Sequence, residues 1–177
     1  MSIIFDFDDC ILEKYNENEA KNVFFPYGDP QSIGESVLQE TLDYLSCPFE
    51  SVAYVMITDN ESIREINKEQ RGIDAATDVL SFPANEFAKP GVIDDEETLC
   101  FDPESGELVL GDIVISIDKV KSQSRDYGHS EKREYAFLIA HSLLHLFGFD
   151  HMTKEEAEVM EGHQNRILKN INITREV

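Results

Sequence analysis

The chain has 177 residues, 41% of them apolar, and a formal net charge of -21. That size suits one domain with a real core and leaves no room for a second full one, and no apolar run approaches the roughly eighteen residues of a membrane span. So large a negative excess argues against broad, nonspecific binding to nucleic acid, which needs basic surface to displace counterions. The N-terminus Met1-Ser2-Ile3-Ile4-Phe5-Asp6 lacks a basic stretch before its apolar residues. Cys10, Cys47 and Cys100 are scattered, with no paired Cys-x-x-Cys. The expected setting is therefore the cytoplasm, with reduced thiols.

Ile3, Phe5 and Phe7 alternate with polar partners through Asp8, which reads as a strand. Its Asp6-Phe7-Asp8 has the form of the nucleophile motif of haloacid-dehalogenase-type phosphatases. No convincing second half of such a site follows, so the better reading is an acidic strand end running into a polar loop. Gln31 to Ser46 places Ile33, Val37, Leu38, Leu42 and Leu45 at helical spacing, and Pro48 stops it. Val52 to Ile57 has strand character. Thr58 with Glu61 forms an expected capping box for a short helix carrying Ile63 and Ile66 and ending near Gly72.

Thr77 to Pro83 reads as the next strand. Residues 84–107, with Pro90, Gly91, Pro103 and Gly106 among eight acids and one Lys, read as a long exposed loop or insertion. Leu108 to Ile117 is the last strong strand, interrupted at Gly111-Asp112. Asp118 is placed to cap a helix running to about Tyr127, with Gly128 closing it. Lys119, Lys121, Arg125, Lys132 and Arg133 against Asp126 and Glu131 leave a local charge of +3, which reads as a solvated helix face.

Ser130 is the expected cap of a helix that is apolar over most of its circumference, through Tyr135, Phe137, Leu138, Ile139, Leu143, Leu144, Leu146 and Phe147. Such a helix is buried. Thr153 with Glu156 opens a last helix through about Lys169. Four strands with helices between and after them predict an α+β fold: a mixed sheet of about four strands packed with helices, one buried helix bearing histidines. The whole chain, 1–177, reads as one domain with the acidic 84–107 segment inserted.

That buried helix carries the chemistry. His141 and His145, four apart, project from one side of it. Gly148 sits where a left-handed residue can end the helix, and the returning chain can bring His151 to the same point. Three imidazoles on one ion are the ligand set of a catalytic zinc site with an open fourth position. His129, beside Gly128, is expected in a turn or cap, and His163 on a solvent-facing helix surface. The spacing is also that of the metzincin proteases, but those need Glu directly after the first His as general base. Ser142 stands there instead, and a serine cannot take that proton unaided at neutral pH.

Three blocks in order, Asn67-Lys68-Glu69-Gln70-Arg71-Gly72 leading to Thr77-Asp78-Val79-Leu80-Ser81-Phe82-Pro83, then Leu110-Gly111-Asp112-Ile113-Val114-Ile115-Ser116, then the histidine stretch, resemble the YbeY family of single-strand-specific endoribonucleases. The resemblance spans residues from about 50 to 165. It implies a zincin-like α+β fold, one zinc ion per chain held by His141, His145 and His151, and a role for Arg71 in catalysis or RNA binding. It further implies single-stranded ribosomal RNA as substrate, notably at the 3′ end of the small-subunit rRNA, ribosome or small-subunit assembly components as partners, and ribosome quality control. The family's motif usually has Gly at the position of Ser142 and Tyr at that of Phe149. The Ser could narrow the pocket or add a hydroxyl near the metal. Asp78, Asp112 and Asp150 are candidates to hold the zinc-bound rings from behind, since such a His commonly donates its other N–H to a carboxylate or carbonyl. A ribosome assembly factor with a structural metal, and a zinc hydrolase of another substrate, are the competing readings.

Overall fold

The computed structural model describes residues 1–175. Four strands, β1 (Ser2–Phe7), β2 (Ser51–Thr58), β3 (Val79–Pro83) and β4 (Leu108–Ser116), form one sheet in the order β1-β2-β4-β3. β1, β2 and β4 run parallel, and β3 pairs antiparallel with β4 at the edge. The fold is thus α+β with a mixed sheet, as expected. The long helices are α3 (Pro30–Tyr44), α4 (Asn60–Arg71), α5 (Ile117–Tyr127), α6 (Glu131–Leu146) and α7 (Lys154–Asn170).

Burial explains the layering. The inward residues Ile3, Phe7, Ala53, Val55, Ile57, Leu108, Leu110, Ile113 and Ile115 join the apolar faces of α3, α6 and α7 in one core. α6 lies in the middle of it, with Tyr135, Leu138, Ile139, Leu143, Leu144 and Leu146 inaccessible to solvent. The Tyr135 hydroxyl donates to the Pro30 carbonyl at 3.0 Å, fastening α6 to the start of α3. A smaller cluster of Ile63, Leu80 and Val114 packs α4 against β3 and β4. Contiguous apolar burial of this kind is the dominant favourable contribution to folding.

The expected break in β4 is a bulge. Val52 pairs with Val109 but Ala53 pairs with Gly111, so Leu110 is the extra residue. Gly111 has φ 137°, and a Cβ there would stand 2.1 Å from the Phe82 carbonyl oxygen. Only glycine lets β3 come this close.

Several expected boundaries are corrected. Two helices before residue 25 add to the expected set: α1 (Asp9–Leu12) and α2 (Glu17–Phe24), the latter opened by a capping box of Asn16 and Glu19. α4 is capped by Asp59, which accepts from the Ser62 amide at 2.8 Å. Thr58 is no cap; as the last residue of β2 it donates to Asp8 Oδ2 at 2.7 Å. Ser116, not Asp118, caps α5, while Asp118 accepts from the Asn60 amide at the start of α4. Caps at Ser130 and Thr153 stand as expected.

The 84–107 segment is exposed at most of its acids, among them Glu86 and residues 94–97, but anchored at its ends. Asn85 donates to the Val109 carbonyl at 2.7 Å and accepts from the Cys100 amide at 2.7 Å. Phe87, Ile93, Leu99 and Phe101 pack against the main core. The Gly91 amide donates to the Phe147 carbonyl at 2.9 Å. Among the described residues no helix is long and apolar enough to cross a membrane.

Candidate metal centre

The centre is built by the end of α6 and the turn after it. His141 and His145 face the same side of the helix, and their Nε2 atoms lie 3.0 Å apart. After Phe147 the chain reverses through Gly148, at φ 92°, whose amide donates to the His145 carbonyl at 3.0 Å. Phe149 then donates to the Leu144 carbonyl at 3.0 Å. This left-handed closure satisfies the last helical carbonyls and turns His151 back toward the helix. The ring centroids of His151 stand 5.4 Å from those of His141 and 5.0 Å from those of His145.

One ligand atom from each of the three rings lies within 4.8 Å of the others. Zinc–nitrogen bonds of about 2.05 Å at a tetrahedral ion place ring nitrogens roughly 3.3 Å apart. The rings therefore fit one such ion with only small rotations. His151 is exposed, whereas His141 and His145 are half-buried, so the open side of the site faces the cleft. Burial, then the neighbouring His145 and His151, pushes the His141 imidazole down to about 3. Burial also lowers His145, partly opposed by its bond to Phe149. Both rings are thus neutral at physiological pH, the form that binds a metal.

The other face of the two helical rings is held by groups other than the three candidate aspartates. His145 Nδ1 donates to the Phe149 carbonyl at 2.9 Å, so the turn it helps to form also orients it. His141 Nδ1 meets the side-chain amide of Gln164 on α7 at 2.5 Å, and Phe137 stacks on the same ring. Of the anticipated carboxylates, none bonds to a ring. Asp78 accepts from the Val79 amide at 2.8 Å and the Thr77 hydroxyl at 3.3 Å. Asp150 accepts from the His151 amide at 2.7 Å, and Asp112 is exposed on β4. Gln164 did leave a signal in the sequence. It is the one polar residue on the buried stripe Met160, Gln164, Ile167, Leu168.

A cleft of about 730 Å³ opens over the rings. β3 with Thr77 and Asp78 forms one wall, the 148–152 turn another, and Gln70 and Arg71 at the end of α4 a third. Arg71 therefore shares the cleft with all three histidines. Two of its helix neighbours, Arg64 and Lys68, are engaged by Asp74 at 2.7 and 3.7 Å, while Arg71 has no ion pair among the described residues. Ser142 is fully buried and does not line the cleft, so its hydroxyl does not narrow the pocket. Phe149 does line it, backed edge-on by His163 at 5.0 Å.

Of the two histidines outside the cluster, one departs from expectation. His163 is half-buried rather than solvent-facing, because Tyr44 on α3 places its hydroxyl 2.7 Å from His163 Nδ1. His129 sits in the turn as expected, but its Nε2 lies 3.0 Å from Glu134 Oε2, with both side chains 2% exposed. Gln123, with its amide nitrogen turned toward them, donates to Glu134 Oε1 at 2.7 Å and Asp78 Oδ2 at 3.3 Å. Burial, then the Asp78 charge, raises Glu134 to about 7. Arg133 is likewise buried, 5.5 Å over the Phe137 ring, and so drops out of the expected solvated basic face.

Two histidines near the end of a core helix and a third in the turn after it, beneath an antiparallel edge strand and open to a cleft, define an α+β protein with a cluster that could hold a metal ion. The family described as Endoribonuclease YbeY matches residues 15–172, and this chain belongs to it. Proteins named Endoribonuclease YbeY from Lachnoclostridium phytofermentans, Agathobacter rectalis and Lachnospira eligens are 54%, 52% and 51% identical to it over 156, 150 and 154 residues. The alignments cover 86%, 83% and 83% of this chain and 94%, 91% and 91% of those proteins.

Proposed function

We propose that the chain is a zinc-dependent, single-strand-specific endoribonuclease that acts in the cytoplasm on ribosomal RNA. Its tasks would be maturation of the small-subunit rRNA 3′ end and ribosome quality control, in company with small-subunit assembly components. In this reading residues 1–177 work as one hydrolase domain carrying the acidic 84–107 insertion. The observation that carries it is that Arg71 and the three clustered histidines share one cleft, in a chain whose relatives are named endoribonucleases.

His141, His145 and His151 would hold the zinc ion, one per chain. Zinc held there supplies a Lewis acid for the phosphodiester and a means of bringing the acidity of water toward neutral. The chain's own residues do the rest. Three uncharged imidazoles leave the ion's positive charge undiminished. Arg71 presents a planar, permanently charged fork that grips the scissile phosphate and opposes the charge developing on its oxygens. A single-stranded substrate suits a cleft open on one side, since an unpaired backbone can bend to bring one phosphate down to the rings. Peptide hydrolysis is disfavoured, because buried Ser142 stands where the zincin proteases carry their general base.

The test is incubation of zinc-loaded wild type, Arg71→Ala and His145→Ala with single-stranded rRNA fragments. Cleavage by the wild type, lost in both variants, supports the reading. Cleavage undiminished in His145→Ala would point to a contaminating nuclease. Intact RNA with well-folded wild type would favour an assembly factor, and turnover of small phosphodiesters or amides alone would favour another substrate.

A further inference from the structure

α7 reaches the metal centre through one side chain. Gln164 is 3% exposed, and its side-chain Nε2 is placed 2.5 Å from His141 Nδ1. Its neighbours on the same helix face, Met160, Ile167 and Leu168, are core residues, so a polar group at this position is costly unless it is bonded. On the far side of the His141 ring is Nε2, which lies 3.0 Å from Nε2 of His145. The ring is thus held between a fixed amide behind and the ligand cluster in front, with Phe137 stacked on its face.

We infer that Gln164 is the positioning residue of the metal centre, accepting a hydrogen bond from His141 Nδ1–H and so fixing the tautomer and ring angle that offer Nε2 to zinc. The inference rests on the proposed zinc reading. An imidazole that gives Nε2 to a metal keeps its proton on Nδ1 and must donate it. The structure places Nε2 of the carboxamide toward the ring, and a bond from Nδ1–H needs the other orientation of the same group: half a turn about its last bond exchanges the two atoms and brings Oε1 to face that proton. His145 has the same arrangement with a backbone acceptor, the Phe149 carbonyl. Both helical ligands are then anchored from behind, one by the turn and one by α7. His151 is exposed and its ring has no such bond among the described residues, so it is the ligand that can adjust as the ion binds.

The arrangement assigns α7 a purpose beyond packing. It docks on α6 and also touches α3, and the rigidity of that core is passed to one ring through one hydrogen bond. His163, next in sequence, adds a second brace from the same turn of α7 by backing Phe149, whose carbonyl holds His145.

The experiment measures zinc affinity at neutral pH, by competition with a chromophoric chelator, for wild type, Gln164→Met and Gln164→Glu. Gln164→Met keeps length and fills the space but offers no acceptor, and it should bind zinc about ten- to a hundredfold more weakly. Gln164→Glu retains an acceptor and should bind at least as tightly as wild type. In the zinc-loaded wild type, nitrogen-15 NMR should show His141 Nδ1 protonated and its proton slow to exchange, and in Gln164→Met that protection should be lost. Met and wild type agreeing within twofold would overturn the inference, as would a Glu variant as weak as the Met variant, since packing alone would then account for both. If Gln164→Met does not fold, the Glu comparison decides by itself: undiminished affinity supports the inference and a tenfold loss overturns it. Wild type that binds no zinc removes the proposed function and this inference together, whereas tight wild-type binding with an indifferent Gln164 removes only the latter.

Discussion

Gly111 and Phe82 meet across β4 and β3 so closely that a Cβ on the glycine would lie 2.1 Å from the Phe82 carbonyl oxygen. The contact sets the position of the strand that walls the metal cleft. Gly111→Ala must push β3 outward or strain a backbone already at φ 137°. The expected loss is roughly 3–5 kcal/mol in urea unfolding, with RNA cleavage falling as well. Gly162, in the middle of α7, is the control. Nothing lies within 4 Å of a Cβ there, so Gly162→Ala should stabilise by about 0.5–1 kcal/mol.

The apolar core is continuous without any contribution from the three ligand rings. Removing zinc with a chelator should therefore abolish RNA cleavage while far-UV circular dichroism stays unchanged. His145→Ala should behave alike, with activity down at least a hundredfold and helix content retained. Collapse of the dichroism on chelation would show instead that the metal holds the fold.

Arg71 is exposed and unpaired among the described residues, so replacing it should hardly alter stability. Arg71→Ala should lower cleavage about a hundredfold or more with the thermal midpoint unmoved. Arg71→Lys keeps the charge but loses the two-pronged geometry, and should recover only part of the rate. A lysine variant as fast as wild type would mean that Arg71 acts as a point charge.

Glu134 gives a pH dependence of known sign. Facing it are His129 from the turn before α6, Gln123 from α5, Asp78 ahead of β3 and Arg133 on its own helix. With its carboxyl raised from 4.5 to about 7, the folded protein holds this proton more tightly than the unfolded chain does. The ionised group is then a burden above about pH 7, which disappears as the pH falls toward the unfolded value. Glu134→Gln should be more stable than wild type at about pH 8, by up to roughly 3 kcal/mol, with the gap closing near pH 4.5. A variant weaker than wild type by the same margin at both pH values would show that His129 and Gln123 fully compensate the charge.

His141 and His145 act in the opposite direction in the metal-free protein. Their folded values lie below the ordinary imidazole value of 6.5, so their contribution is complete above that pH and is lost as the pH falls below it, for His141 toward about 3. Thermal melts of chelator-treated protein below pH 6.5 should show a falling midpoint with acidification, beneath the opposing effect of Glu134.

What could be seen in the chain beforehand was whatever depends on near neighbours. His141 and His145 at helical spacing, Gly148 at the reversal and the apolar girth of α6 all encode themselves within a dozen residues, and the structure places them as read. Caps were legible only to within a residue or two. Thr58 and Asp59 could both open α4, and the choice fell to Asp59 because β2 runs on through Thr58, which bonds to Asp8. α2 was missed despite Asn16 and Glu19, because the segment has one buried residue, Ala20, and hence almost no apolar stripe. The environments of His163 and Gln164 were hidden for another reason. Their partners, Tyr44 and His141, lie 119 and 23 residues away, and no local pattern reports such a meeting.

The acidic 84–107 stretch has two unlike halves. Phe87 lies 3.3 Å from where a side chain on Gly148 would begin, and Gly91 leaves 3.0 Å for the Phe149 ring while its amide secures the Phe147 carbonyl. Residues 94–98, Glu96 and Glu97 among them, are exposed. Mutational tolerance should therefore rise abruptly within a few positions. Changes at 87–91 should be felt at His151 as a loosened hinge, while wholesale replacement of 94–98 should leave the enzyme indifferent.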